Sequence, residues 1–134
     1  MVDPRQGDIY WVDIPQPQIE GSEQYGCRPF IVMSRDAVNK SLKTVLVVPM
    51  TTHQGQTRES DLAFLAKQPP YRIVIPVAEI TKDPSCNSNL SVSVAKTDQA
   101  RVIDKSRLRQ RVGRLSQTAI ISVGVGLAWV FDIR

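Results

Sequence analysis

Thr44-Val45-Leu46-Val47-Val48-Pro49-Met50 decides the fold class. The run is apolar and β-branched without alternation, so it reads as a strand buried on both faces. Strands flank it in both directions. Upstream, Arg28-Pro29-Phe30-Ile31-Val32-Met33-Ser34 reads as one, with Pro29 tolerated near its start, and Asp8-Ile9-Tyr10-Trp11-Val12-Asp13-Ile14 as the first. Downstream come Tyr71–Ile75 and Leu90–Lys96, the latter alternating at Leu90, Val92 and Val94. Asp36–Lys43 is a turn or a single helical turn, Asp104–Leu108 a short helical turn, and Lys82–Asn89 is turn chemistry. Ser116 caps a C-terminal helix running towards Phe131, although Gly124 and Gly126 leave a strand open as the alternative. Five short strands followed by a helix predict a mainly β fold, a small antiparallel barrel or curled sheet, in one domain over 1–134.

Composition agrees and narrows the chemistry. With 42% hydrophobic and 22% charged residues, 134 residues can bury a core without metal or disulfide staples. Two cysteines, Cys27 and Cys86, form neither a disulfide framework nor a four-ligand zinc site, and the single His53 weakens any Ser-His-Asp reading. No apolar run follows the N-terminus and none approaches a membrane span, so a soluble cytoplasmic protein is expected. The net charge of +4 leaves an anionic partner open.

No Gly-rich phosphate loop, paired-Cys motif or nucleophile elbow is present. What remains is Arg, Lys, Thr and Asp at strand ends and in loops. That inventory suits a phosphodiester carrying its own nucleophile, and RNA with its 2′-hydroxyl is such a substrate. The reaction needs a base, donors for the charged pentavalent phosphorus and a proton source for the leaving oxygen, and in principle no metal or other cofactor.

Three segments then carry a resemblance. Gly21-Ser22-Glu23-Gln24-Tyr25-Gly26-Cys27-Arg28-Pro29 resembles the Gly-x-Glu-Gln-x-Gly-x-Arg-Pro signature of MazF/PemK-type toxins of bacterial toxin–antitoxin systems. Val47-Val48-Pro49-Met50-Thr51-Thr52 is similar to that family's Pro-Ile/Val-Thr-Ser strand end, and Asp98-Gln99-Ala100-Arg101-Val102-Ile103-Asp104 to its Asp-Gln-x-Arg-x-Ile-Asp segment. The resemblance implies an SH3-like barrel of five to seven strands with a C-terminal helix, acting as a homodimer. It also implies a metal-independent, sequence-specific endoribonuclease that leaves 2′,3′-cyclic phosphate and 5′-hydroxyl ends. The implied inhibitor is a cognate antitoxin with an acidic tail.

By the same resemblance Arg28 is the catalytic arginine, whose planar fork of donors suits a phosphoryl oxygen gaining charge. Thr51 is the catalytic threonine, its hydroxyl holding the scissile group, and Thr52 supports it. Asp98 stands where some members keep a general base; a carboxylate needs a raised pKa for that work, and Asp-Gln is otherwise a turn fixing Arg101. Glu23, Gln24 and Tyr25 in the first loop, with Lys96, Gln99 and Arg101, are candidate RNA contacts, Tyr25 by stacking. Trp11 and Phe30 are assigned to the core. Two departures stand out: Ser22 replaces a histidine found in some members, and Lys96 replaces an arginine. The polar 53–70 stretch, with a possible short helix at Ser60–Ala66, is longer than usual. The basic run Lys105, Arg107, Arg109, Arg111 and Arg114 is either a solvated face or a phosphate track. Two other functions share this inventory: a CcdB-like poison that binds DNA gyrase, and an RNA-binding barrel without catalysis.

Overall fold

The structure is a computed structural model and describes residues 3–14, 26–52, 67–86 and 92–133. Among the described residues eight strands form one curled sheet in which every pairing is antiparallel. They are β1 (Asp8–Ile14), β2 (Gly26–Val32), β3 (Thr44–Thr52), β4 (Arg72–Ile75), β5 (Ile80–Lys82), β6 (Ser93–Lys96), β7 (Arg101–Asp104) and β8 (Leu108–Leu115). The sheet order is β4-β6-β3-β2-β1-β8-β5, with β7 also on β3. Helix α1 (Asp36–Ser41) links β2 to β3, and α2 (Gln117–Phe131) closes the chain. The mainly β fold with a C-terminal helix is the one expected.

Strand β3 explains the architecture. Its alternating side chains feed two cores: Val48 and Met50 join Ile9, Ile31, Ile75, Ala95 and the underside of α2, while Val45 and Val47 join Val12, Phe30, Val32, Ile103 and Leu108. A strand buried on both faces has no room for alternation, which is why Thr44–Met50 shows none. One edge of β3 carries β2; the other carries β7 along Thr44–Val47 and β6 along Met50–Thr52. The reversal between β6 and β7, a 3-10 turn at Thr97–Gln99, therefore lies beside the middle of β3.

Three strands were not visible in the sequence pattern. β8 coincides with the basic run, and two register shifts against β1 break its period of two. Its arginines are held by acids: Arg111 reaches Asp8 at 3.2 Å and Asp83 at 2.6 Å, Arg114 reaches Asp8 at 3.0 Å, and Arg109 lies 3.6 Å from Asp13. Lys105 adds a 3.2 Å pair with Asp3. β5 is three residues long, and β7 is one strand of a segment quoted only as a motif. The predicted strand at Leu90–Lys96 starts at Ser93, with 87–91 outside the described residues. The helix proposed at Ser60–Ala66 also lies outside them.

Gly124 and Gly126 sit inside α2, so the helix reading holds. Ser116 caps it by accepting the Ala119 N–H at 3.1 Å and donates its hydroxyl to Glu79. Asp132 in the left-handed region (φ 55°) ends it. Burial of Ile120 and Val123 against the sheet contributes about 1.5–3 kcal/mol each. The helix comes close to the sheet at Gly126: a Cβ there would stand 2.8 Å from Ile73 Cγ1 and 2.9 Å from Thr97 Cγ2.

Candidate active site

The quoted motifs come from separate segments, and the sheet brings part of them together. β2 and β3 pair through Phe30 and Pro49; two residues beyond on each strand stand Arg28 and Thr51, so both share that pair's face. Thr51 is in register with Val94 on β6, and Lys96, two residues on, falls on the same face. Lys96 is in turn the register partner of Arg72 on β4. Arg28, Thr51, Lys96 and Arg72 thus lie on one face of four neighbouring strands. Arg101, in register with Val47, joins that face about 13 Å along β3 from Thr51, at 3.3 Å per residue.

Asp98 is held tightly. Arg72 Nε donates to Oδ1 at 2.8 Å and Nη2 to Oδ2 at 3.0 Å, a two-point bridge. The bridge is set by the turn carrying Asp98, because the Thr97 N–H and hydroxyl both donate to the Tyr71 carbonyl, next to Arg72. Tyr71 packs on Trp129 of α2 with ring centroids 5.4 Å apart, and the Arg72 guanidinium lies 5.7 Å from the Tyr71 ring. The Arg72 hydrogen bond pulls the Asp98 pKa below the ordinary carboxylate value, the opposite of what a general base at neutral pH requires.

Lys96 is half-buried and its ammonium is disfavoured. Burial pushes its pKa below the ordinary lysine value, Arg72 and Arg28 push the same way, and Asp98 opposes them. Arg28 is therefore near enough for its charge to act on Lys96. Arg28 itself is exposed and Thr51 half-buried.

Not every predicted residue is accounted for. Glu23, Gln24, Tyr25 and His53 lie outside the described residues, and Thr52 is placed by its backbone alone, at the end of β3. Gln99 closes the 3-10 turn half-buried. Phe30 is in the core it shares with Val45 and Val47, and Trp11 packs half-buried against the other core, beside Ile9 and Ile31. Sequence reasoning missed Arg72: it opens a strand, and its partner Asp98 is 26 residues away.

Residues 5–131 match the model of the PemK-like, MazF-like toxins of type II toxin–antitoxin systems. The chain belongs to this family. Among curated relatives of this toxin, the protein named Endoribonuclease MazF from Staphylococcus epidermidis is 32% identical over 119 residues, 89% of this chain and 83% of that one. Endoribonuclease MazF from Staphylococcus saprophyticus is 30% identical over 112 residues, 84% and 78% of the two chains. The fold is shared with MazF from Deinococcus radiodurans, at a TM-score of 0.68 and 20% identity over 98% of this chain and 99% of that one. It is shared too with a mycobacterial endoribonuclease solved in complex with its cognate antitoxin, at 0.64 and 18% over 98% and 97%. No helix among the toxin's described residues is long and apolar enough to cross a membrane.

Proposed function

We propose that this chain is the single-domain endoribonuclease toxin of a type II toxin–antitoxin pair, cutting single-stranded mRNA in the cytoplasm without a metal ion. The observation that carries the reading is that Arg28 and Thr51, from two separate family motifs, share one face of adjoining strands with Lys96 beside them. The curated relatives named as endoribonucleases support it.

The chemistry follows from the groups present. The 2′-oxygen attacks the adjacent phosphorus and the P–O5′ bond breaks, giving a 2′,3′-cyclic phosphate and a 5′-hydroxyl. Arg28 donates a fork of N–H bonds to the phosphoryl oxygens as their charge grows, and the Thr51 hydroxyl adds a donor that keeps the group in line. Lys96, Gln99 and Arg101, spread along the edge of β3, suit the flanking backbone, with Thr52 beside Thr51. Glu23, Gln24 and Tyr25, which precede β2 in the chain, are proposed as base contacts. Asp98 is assigned to holding Arg72.

A homodimer and an antitoxin are proposed as partners. The exposed apolar row Ile121, Val125 and Trp129 on α2, continued by Phe131 and Ile133, is surface that a protein partner would cover. Exposed Trp129 and Phe131 at the end of α2 are the feature among the described residues that favours a gyrase-type poison. The deciding experiment is cleavage of a long single-stranded RNA in EDTA by wild type and Arg28→Ala, with product ends mapped. Discrete cuts leaving 5′-hydroxyl ends with wild type only are expected. Intact RNA together with lost DNA supercoiling in intoxicated cells would replace the reading with the poison.

A further inference from the structure

We infer that Arg72 is a base-binding residue: its guanidinium, held flat by Asp98 and backed by Tyr71, is a plate on which an unpaired RNA base flanking the scissile phosphate stacks. The inference rests on the ribonuclease reading and deepens it, by naming a group that grips the substrate without taking part in the cut.

A guanidinium offers RNA a fork of N–H donors in its plane and two flat faces above and below it. In Arg72 the Nε side of the fork is taken, because Nε and Nη2 donate to the two oxygens of Asp98 at 2.8 and 3.0 Å. One face is covered as well, since the group lies over the Tyr71 ring, 5.7 Å from its centroid. Tyr71 is backed in turn by Trp129 of α2, and its carbonyl accepts from the Thr97 N–H and hydroxyl. Plate, carboxylate and ring are thus in place before substrate arrives, so a base that stacks there orders few side chains.

The other face is open among the described residues. The Arg72 side chain keeps 26% of its surface exposed, and Arg72 borders a groove of about 430 Å³ together with Pro69 and Pro70. Its position suits a neighbouring nucleotide. Arg72 is in register with Lys96, two strands from β3, on the face of Arg28 and Thr51. At about 4.8 Å per strand and 3.3 Å per residue, its backbone stands about 12 Å from that of Thr51. With the fork turned to Asp98, Arg72 brings its open face and its charge to the RNA beside the phosphoryl group that Arg28 and Thr51 hold. Stacking ignores the hydrogen-bonding edge of a base, so the plate favours the larger purine ring over a pyrimidine and singles out no one base.

The test pairs a change in the protein with a change in the substrate. A short RNA carrying a cleavage sequence mapped with wild type is made abasic at each flanking nucleotide in turn. With wild type, one abasic position should lower kcat/KM about 10–100-fold, chiefly through KM. Arg72→Lys keeps the charge and loses the plate. It should show a similar loss on the intact RNA and no further loss at that one abasic position. Tyr71→Ala, which removes the backing, should lose less on the intact RNA and couple to the same position alone. A merely structural role would lower cleavage of every RNA by one factor and leave the abasic losses additive, and that result overturns the inference. So does wild-type behaviour in Arg72→Lys beside a loss in Arg72→Gln, which would make Arg72 a phosphate ligand through its charge. A Tyr71→Ala protein with an altered oligomeric state and no coupling would give the ring to a protein interface, again overturning it. Cleavage without coupling sinks this inference alone, whereas a wild type that cuts no RNA takes the ribonuclease reading down with it.

Discussion

Gly124 and Gly126 are two residues apart in α2, and the same added methyl should act on them in opposite directions. At Gly124 a Cβ meets nothing within 4 Å, so Gly124→Ala gains only helix propensity, about 1 kcal/mol. At Gly126 the same gain is opposed by contacts of 2.8 Å to Ile73 Cγ1 and 2.9 Å to Thr97 Cγ2. Ile73 is half-buried, but being β-branched it can shift its Cγ1 only a little. Thr97 has little room: it is buried, β-branched and hydrogen-bonded to the Tyr71 carbonyl. Overpacking of this kind costs about 1–3 kcal/mol, so Gly126→Ala should end about 1 kcal/mol below wild type. The two variants then differ by about 2 kcal/mol. With about 2.1 cal/mol/K of unfolding entropy per residue, this chain gains or loses about 3–4 °C of Tm per kcal/mol, so their melting points should lie about 7 °C apart. Scanning calorimetry or urea melts at one fixed protein concentration read this directly, because self-association shifts apparent stability. Equal melting points, or Gly126→Ala the more stable, would refute the close helix–sheet approach. Because Thr97 precedes Asp98, Gly126→Ala should also lower RNA cleavage, whereas Gly124→Ala should not.

Thr51→Val, nearly isosteric, should cut kcat by about 10²–10³-fold as a lost transition-state donor does, with Tm unchanged in a parallel melt. Asp8→Asn should cost about 2–3 kcal/mol, because Asp8 is 4% exposed and accepts from Arg111, Arg114 and the Arg5 N–H; a urea midpoint equal to wild type would deny the network its role. The Asp98 pKa is lowered in the folded state, so the stability it contributes is present above the unfolded carboxylate value of about 3.9 and is lost as pH falls through the lower folded one. The urea midpoints of wild type and Asp98→Asn should therefore differ by a constant amount from pH 5 to 8 and converge below about pH 4. Arg72→Gln and Lys96→Met should each reduce the salt dependence of RNA binding by about one counterion, while Arg109→Gln leaves it unchanged in the same titration.

β1, α1, β3 and α2 could be read from the sequence because each obeys a local rule: aromatic and β-branched residues, a short polar turn, an unbroken apolar run, a serine cap. β8 could not, because Leu108–Leu115 carries three arginines and two register shifts, and only the acids of β1 and Asp83 make that strand tolerable. Those acids come from distant segments, so no window along the chain contains the explanation. The site divides in the same way. Arg28, Thr51 and Asp98 stood in motifs, yet the common face of Arg28 and Thr51 depends on how β2 and β3 pair, and Asp98 is brought near by the turn after β6. Arg72 lay in no motif at all, and the direction of the Asp98 pKa depends on it.

Pairing also explains where the positive charge of this toxin can act. Lys105, Arg109, Arg111 and Arg114 are matched by Asp3, Asp13, Asp83 and Asp8, so most of the basic run is neutralised by acids of β1 and of neighbouring segments. Around Thr51, by contrast, the strand register gathers Arg28, Lys96 and Arg72 on one face, with Asp98 bridged to Arg72 beside them. A polyanion gains from neutralising local charge excess, not from the number of arginines in a sequence. The excess lies on the face that holds the family's arginine and threonine. The depressed pKa of Lys96 belongs to the same surroundings: burial disfavours its ammonium first, the guanidiniums of Arg72 and Arg28 add to this, and Asp98 opposes them.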